Sequence, residues 1–160
     1  MRKLFDQFEE YAILLLFPMM VAVVLAATLG RYTQWYSMFW GEEAARYIMV
    51  YLGYIGISLA MKRRAHIGVT AVTDMVKGIQ GKKVVLILQT GIILLFCAII
   101  SYFVLSLIEK QAAIGQTSPS MLIPMWIPYA AVPLGMILLA IRTCQVLVER
   151  LKELDAESKE

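Results

Sequence analysis

Four long stretches of this sequence contain no Asp, Glu, Lys, Arg or His, and they limit the possible folds more than any other feature. They lie between Glu10 and Arg31, Arg46 and Lys62, Lys83 and Glu109, and Lys110 and Arg142. A helix needs about 20 apolar residues to cross a hydrocarbon core of about 30 Å. The first and third stretches are long enough alone, and the fourth remains so when its Pro-rich start is set aside. The second is short, and spans only if Glu42, Glu43 and Arg46 occupy its first turns at the interface. None of the four alternates in polarity as barrel strands would. With 60% hydrophobic and 17% charged residues, the chain is also far from the composition of a soluble domain. The expectation is an all-α membrane protein, a single domain over residues 1–160. Its four spans are placed at about 11–30, 43–61, 84–108 and 120–141, followed by a polar C-terminal tail over 142–160.

Twelve of the fifteen Lys and Arg residues fall in the N-terminal segment, the connection between the second and third spans, or the tail. Arg31, Arg46 and Lys110 are the three on the other side. The positive-inside rule then puts both termini in the cytoplasm. The net charge of +3 is accounted for by topology and anionic lipid, with membrane lipid as a partner and no nucleic acid. The basic cluster Lys62, Arg63, Arg64, Lys82 and Lys83 marks the cytoplasmic membrane surface. Between its two parts, Ala65, Gly68, Val69, Val72, Met75, Val76 and Ile79 recur at spacings of three and four. This predicts a short amphipathic helix over about 65–80, lying flat at the cytoplasmic interface. The first apolar run is too long for a signal peptide and its leading segment includes Glu9 and Glu10, so the first helix is expected to stay attached.

Tyr32, Trp35, Tyr36, Phe39 and Trp40 after the first span, with Trp126 and Tyr129 near the fourth, form an aromatic belt at the opposite face. Cys97 and Cys144 form no CxxC pair and read as apolar fillers. His66 is the only histidine, and one imidazole without further Cys or acidic ligands supplies neither a metal nor a bis-histidine haem site.

Deep in the spans the polar groups are mild: Ser58, Gln89, Thr90, Ser101 and Ser106. A membrane protein that moves an ion or acidic solute by itself usually carries ionisable groups or broken helices at that depth. Acid–base pairs, activated nucleophiles and phosphate loops are missing from the pattern as well. The expectation is therefore a non-enzyme with no transport pathway and no cofactor of its own. Two rival classes fit less well: a self-sufficient four-helix exporter lacks its membrane carboxylate between Tyr11 and Gly30, and a haem subunit lacks paired ligands. Small residues recur every four positions at Ala22, Ala26 and Gly30, at Gly56 and Ala60, and at Ala131 and Gly135, predicting closely packed helices in a tight bundle.

Two clusters carry most of the remaining information. Trp40-Gly-Glu-Glu-Ala-Ala-Arg46 opens the second helix, with acidic residues where the helix dipole favours them and Glu42 four residues before Arg46. Gly115-Gln-Thr-Ser-Pro-Ser-Met121 continues through Ile123-Pro-Met-Trp-Ile-Pro-Tyr129 to Val132-Pro-Leu-Gly135. Here Pro119 is read in the first turn of the fourth helix, and Pro128 and Pro133 as kinks.

Together with Leu52-Gly-Tyr-Ile-Gly-Ile-Ser-Leu-Ala60 and His66-Ile-Gly68, these segments resemble the small membrane subunit of tripartite ATP-independent periplasmic (TRAP) transporters over essentially the whole chain. The resemblance implies residence in the bacterial inner membrane and two partners: a large membrane subunit holding the sodium and substrate sites, and a periplasmic binding protein delivering an acidic organic solute such as sialic acid or a dicarboxylate. The small subunit would act as a scaffold. Glu42, Glu43 and Arg46, then Gln116, Trp126 and Tyr129, are the candidates for contact with either partner.

Overall fold

A computed structural model describes residues 2–33, 38–63 and 78–157, and shows four long helices: α1 (Arg2–Thr33), α2 (Gly41–Lys62), α3 (Ile79–Ile114) and α4 (Trp126–Glu157). Each contains a segment long and apolar enough to cross a membrane. The described residues hold no strand, only an isolated bridge between Thr117 and Pro124. The helices outrun the apolar runs because the flanking charged residues are good helix formers. At about 1.5 Å per residue, the 36 residues of α3 reach about 54 Å, beyond the roughly 40–45 Å of a whole bilayer.

Helix four differs from the expected span. Residues 120–125 are not helical, and Pro119 lies in a turn rather than in a helical first turn. Gly115, at φ 67°, ends α3, and the chain then makes a compact loop before Trp126. In this helix start Pro128 sits in the first turn, where its missing N–H removes no bond, so only Pro133 is interior. The helix also continues through most of the stretch read as a polar tail. Of the expected interfacial helix, residues 65–77 lie outside the described residues, as does Arg64. Ile79 and Gln80 belong to α3, which starts after Gly78 at φ 103°.

The helices do not make a bundle around a common core. Backbones pack α1 on α2, α2 on α4 and α4 on α3, and no other pair of described helices approaches closely. The order α1–α2–α4–α3 is a row one helix thick. Its apolar residues therefore stay largely exposed along α1 and α3, among them Leu14, Leu15, Ile92 and Phe103. Met61, Cys97, Met136 and Leu139 form the small apolar core where α2, α4 and α3 meet.

Small residues set two of the contacts. A Cβ on Gly135 would stand 2.4 Å from Tyr54 Cβ and 3.1 Å from that residue's carbonyl carbon and oxygen, so α2 and α4 nearly touch there. Ala131, one turn earlier, is buried beside the same contact face. On the other side Gly41 sits under Ala27, where a Cβ would meet Ala27 Cβ at 2.7 Å. Ala22 and Ala26 are instead exposed, and Gly56 has open space over it. Only one of the three expected small-residue stripes lies in a helix contact.

The helix ends are staggered. Ser58 of α2 and Arg142 of α4 lie at one level, since both bind Glu9. From there α2 runs only to Lys62, whereas α4 runs fifteen residues further to Glu157, about 22 Å. The start of α3 accompanies it, joined by an ion pair between Lys83 and Asp155. Replacing Gly135 by Ala forces a clash with backbone and should lower stability by about 1–3 kcal/mol. Gly53→Ala, where nothing lies within 4 Å, should be neutral or stabilising, and thermal unfolding in detergent compares the two.

Candidate functional site

The end of the row that carries the α1–α2 and α3–α4 connections is organised by Glu43. This residue is 4% exposed. Its Oε2 accepts hydrogen bonds from the backbone N–H of Ser120 at 2.9 Å and of Met121 at 3.0 Å. The Tyr47 hydroxyl, one turn along α2, donates to its Oε1. A further turn on, the Tyr51 hydroxyl donates to the Ile127 carbonyl at 2.7 Å. One face of α2 thus holds the loop and the start of α4, through residues at i, i+4 and i+8.

The loop completes itself with backbone bonds. Ser118 N donates to the Ile123 carbonyl at 2.8 Å, Leu122 N to the Ser118 carbonyl at 3.2 Å, and Met125 N to the Gln116 carbonyl at 2.9 Å. This closure forces Leu122 to φ 55°, a left-handed conformation that costs a residue with a Cβ about 1–2 kcal/mol. The same closure leaves its apolar side chain 71% exposed at the tip. Such strain persists only where surrounding bonds hold it, and it tends to mark surfaces that are used.

The other expected contact residues divide by exposure. Glu42 is exposed and pairs with Arg31 in the last turn of α1, not with Arg46 four residues ahead. The close α1–α2 contact brings Arg31 nearer than the helix spacing does. Arg46 is exposed and makes no hydrogen bond or ion pair among the described residues. Gln116 and Trp126 are exposed, and Tyr129 is half-buried. Glu42, Arg46, Gln116, Leu122 and Trp126 thus present side chains at one end of the row, while Glu43 acts beneath them.

At the opposite end, where both terminal helices emerge, lies an ion pair that sequence reading missed. Glu9 is 1% exposed and Arg142 6%. Arg142 Nε donates to Glu9 Oε1 at 2.7 Å and its Nη2 to Oε2 at 2.8 Å, a two-pronged fit, and Ser58 Oγ adds a third bond to Oε1 at 3.1 Å. Arg142 Nη1 donates to Gln145 at 2.7 Å. Arg142 ends an apolar run and Glu9 lies one residue outside another, so by position both have the form of boundary charges. With both termini at one end, a charged residue from each on the row's inner side was the available signal. Beside this pair Glu10 meets Lys62 at 3.4 Å and Arg63 at 3.6 Å, while Lys83 pairs with Asp155. Lys82 is half-buried near the start of α3. Of the basic cluster, the described members therefore contact acidic side chains in three cases.

Among the described residues no three His, Cys, Asp or Glu side chains converge on a common point. The arrangement is that of a multi-pass helical membrane protein whose charged groups join helices to one another and order a surface loop. The chain belongs to the DctQ component family of tripartite ATP-independent periplasmic transporters, whose family model matches residues 20–153. Three relatives illustrate the range. The isethionate TRAP transporter permease protein DctMQ of Oleidesulfovibrio alaskensis is 30% identical over 84% of this chain, which corresponds to only 23% of that longer protein. The ectoine TRAP transporter small permease protein TeaB of Halomonas elongata is 27% identical over 86% of this chain and 70% of its own length. The sialic acid TRAP transporter small permease protein SiaQ of Vibrio cholerae is 28% identical over 62% and 58%. The family is a transporter component and not a class of enzyme.

Removing one member of the buried pair leaves an uncompensated charge. Arg142→Met or Glu9→Leu alone should cost about 3–5 kcal/mol, and the double replacement should recover most of it. Unfolding of the four chains of this cycle in detergent gives the coupling directly. Glu43→Gln takes a full negative charge from the loop amides and should raise hydrogen exchange at Ser120 and Met121 several-fold. The middle of α3 should stay protected, as mass-spectrometric exchange can show.

Proposed function

We propose that this chain is the scaffold subunit of a TRAP transporter of the bacterial inner membrane, with both termini cytoplasmic, and that it has no solute pathway of its own. The carrying observation is the row of helices one layer thick. A layer has no interior through which a solute could pass, and it leaves two broad apolar faces for lipid and for a large permease subunit. That the relative DctMQ is a permease protein several times longer than this chain fits an intimate association of small and large parts. The small subunit would pack on the immobile part of the large one, widening its footprint while the transporting part moves. The sodium gradient and the solute would act on the large subunit.

The loop end supplies the docking surface in this reading. Glu42, Arg46, Gln116, Trp126 and Tyr129 would meet the loaded binding protein or the large subunit. Glu43 would serve the same contact by holding the loop that presents Leu122. The relatives' names specify ectoine, isethionate and sialic acid. A small subunit of one form serving such different solutes is consistent with selection by the other components. An acidic organic solute is the expected cargo here.

Proteoliposomes holding this chain, its large partner and the binding protein test the reading. Replacing Glu42 and Glu43 together by Ala should lower uptake several-fold while the complex still inserts and co-purifies. Unchanged uptake would remove the pair from the functional surface. Uptake by this chain alone would overturn the scaffold function itself.

A further inference from the structure

Between α1 and the second half of α4 lies an open groove of about 830 Å³. It is within the range of about 300–1,000 Å³ over which small molecules are held. Its outer part, at Val148 to Lys152, opens because of the stagger described above: α2, which separates α1 from α4, stops at Lys62, and α4 continues without it. Phe8 of α1 and Leu138, Ile141 and Val148 of α4 give the groove apolar walls, the Glu9–Arg142 pair closes one part of it, and Lys152 stands at its far end. The charged side chains outside that pair, Glu149 and Lys152, stand at the far end.

We propose that this groove holds one phospholipid, with an acyl chain along Leu138, Ile141 and Val148 and its phosphodiester on Lys152. Three observations support this occupant. The Glu9 and Arg142 charges inside the groove neutralise one another, and the remaining lining passes from apolar at Leu138, Ile141 and Val148 to charged at Glu149 and Lys152, as an amphiphile requires and as an apolar helix would not. From Leu138 to Lys152 the groove runs fourteen residues, about 21 Å, which matches one leaflet, half of a bilayer about 40–45 Å thick. Lys152 is exposed and has no hydrogen bond or ion pair to any described residue, so its charge is open to a phosphate. Glu149 lines the same mouth and disfavours heads with additional negative charge, which points to a zwitterionic phospholipid. The site depends on membrane depth alone and holds whichever way the chain is oriented. It does not rest on the scaffold function.

Native mass spectrometry of the full-length chain, extracted from membranes in mild detergent with whatever co-purifies, tests this. The wild type should retain one phospholipid of the zwitterionic class. Ile141→Trp and Val148→Trp fill the groove from exposed positions and should reduce retention several-fold, whereas Ile92→Trp on the exposed face of α3 should not. Lys152→Glu should release the lipid and Lys152→Arg keep it, with melting temperatures near wild type in both. Equal retention in all variants overturns the site. So does a photo-crosslinker at Val148 that captures a protein instead of lipid in intact membranes, because the groove then belongs to a partner subunit.

Discussion

The pair Glu9–Arg142 joins two helices whose backbones do not touch. α1 and α4 stand on either side of α2, and a two-pronged carboxylate–guanidinium contact, with Ser58 of α2 as a third member, fastens all three at one level. Removing two charges from water is costly, and such a pair is often no more stable than apolar residues of similar volume. Its value lies in register. A row of smooth apolar helices in lipid can slide, since lipid tails are as apolar as the side chains and no hydrophobic force holds one helix height over another. A buried two-pronged pair that also takes a bond from Ser58 is satisfied at one height of the three helices. The Tyr54–Gly135 contact and the Glu43 loop then fall into place on the same axis of α2.

Helix α2 is accordingly the organising element although it is the shortest. One side receives Ala27 of α1 over Gly41, another receives Gly135 of α4, and its acidic first turn holds the loop before α4. Among the described residues the two outer helices each pack closely, backbone to backbone, on one neighbour. For a subunit whose family works in transport, this places rigidity in the middle of the row and leaves the edges and faces for other molecules.

Much of the fold was legible in the sequence. Charge-free runs bounded by Lys, Arg and Glu locate the four helices, because desolvating a charge in hydrocarbon is costly enough to override local preferences. The start of α4 was not legible. Pro119 after Thr117 and Ser118 has the form of a helix start, yet the loop amides of Ser120 and Met121 bond Glu43, 77 and 78 residues away, instead of a local carbonyl chain. Long-range partners leave no periodic trace. For the same reason Glu42 was matched with Arg46, its neighbour by helix spacing, when Arg31 was nearer across the α1–α2 contact. The one-layer arrangement was also hidden. Apolar residues all round a helix signal burial, but they do not tell protein from lipid.

The stagger of the helix ends has a geometric consequence for the whole subunit. On the α1–α2 side the charged boundary falls at Glu10 and Lys62, level with Arg142; on the α3–α4 side it falls at Lys83 and its partner Asp155, thirteen residues or about 20 Å further along α4. Three helix spacings of about 9 Å separate the edges of the row. A flat membrane accommodates both boundaries only if the row leans in its own plane by roughly 35°, inside the range of about 0–40° seen for spanning helices. The 25 charge-free residues of α3, too long to stand upright, then fit the hydrocarbon core. Whatever packs against this face meets a set of oblique ridges, so that motion straight across the membrane would cross them at an angle and be resisted by each in turn.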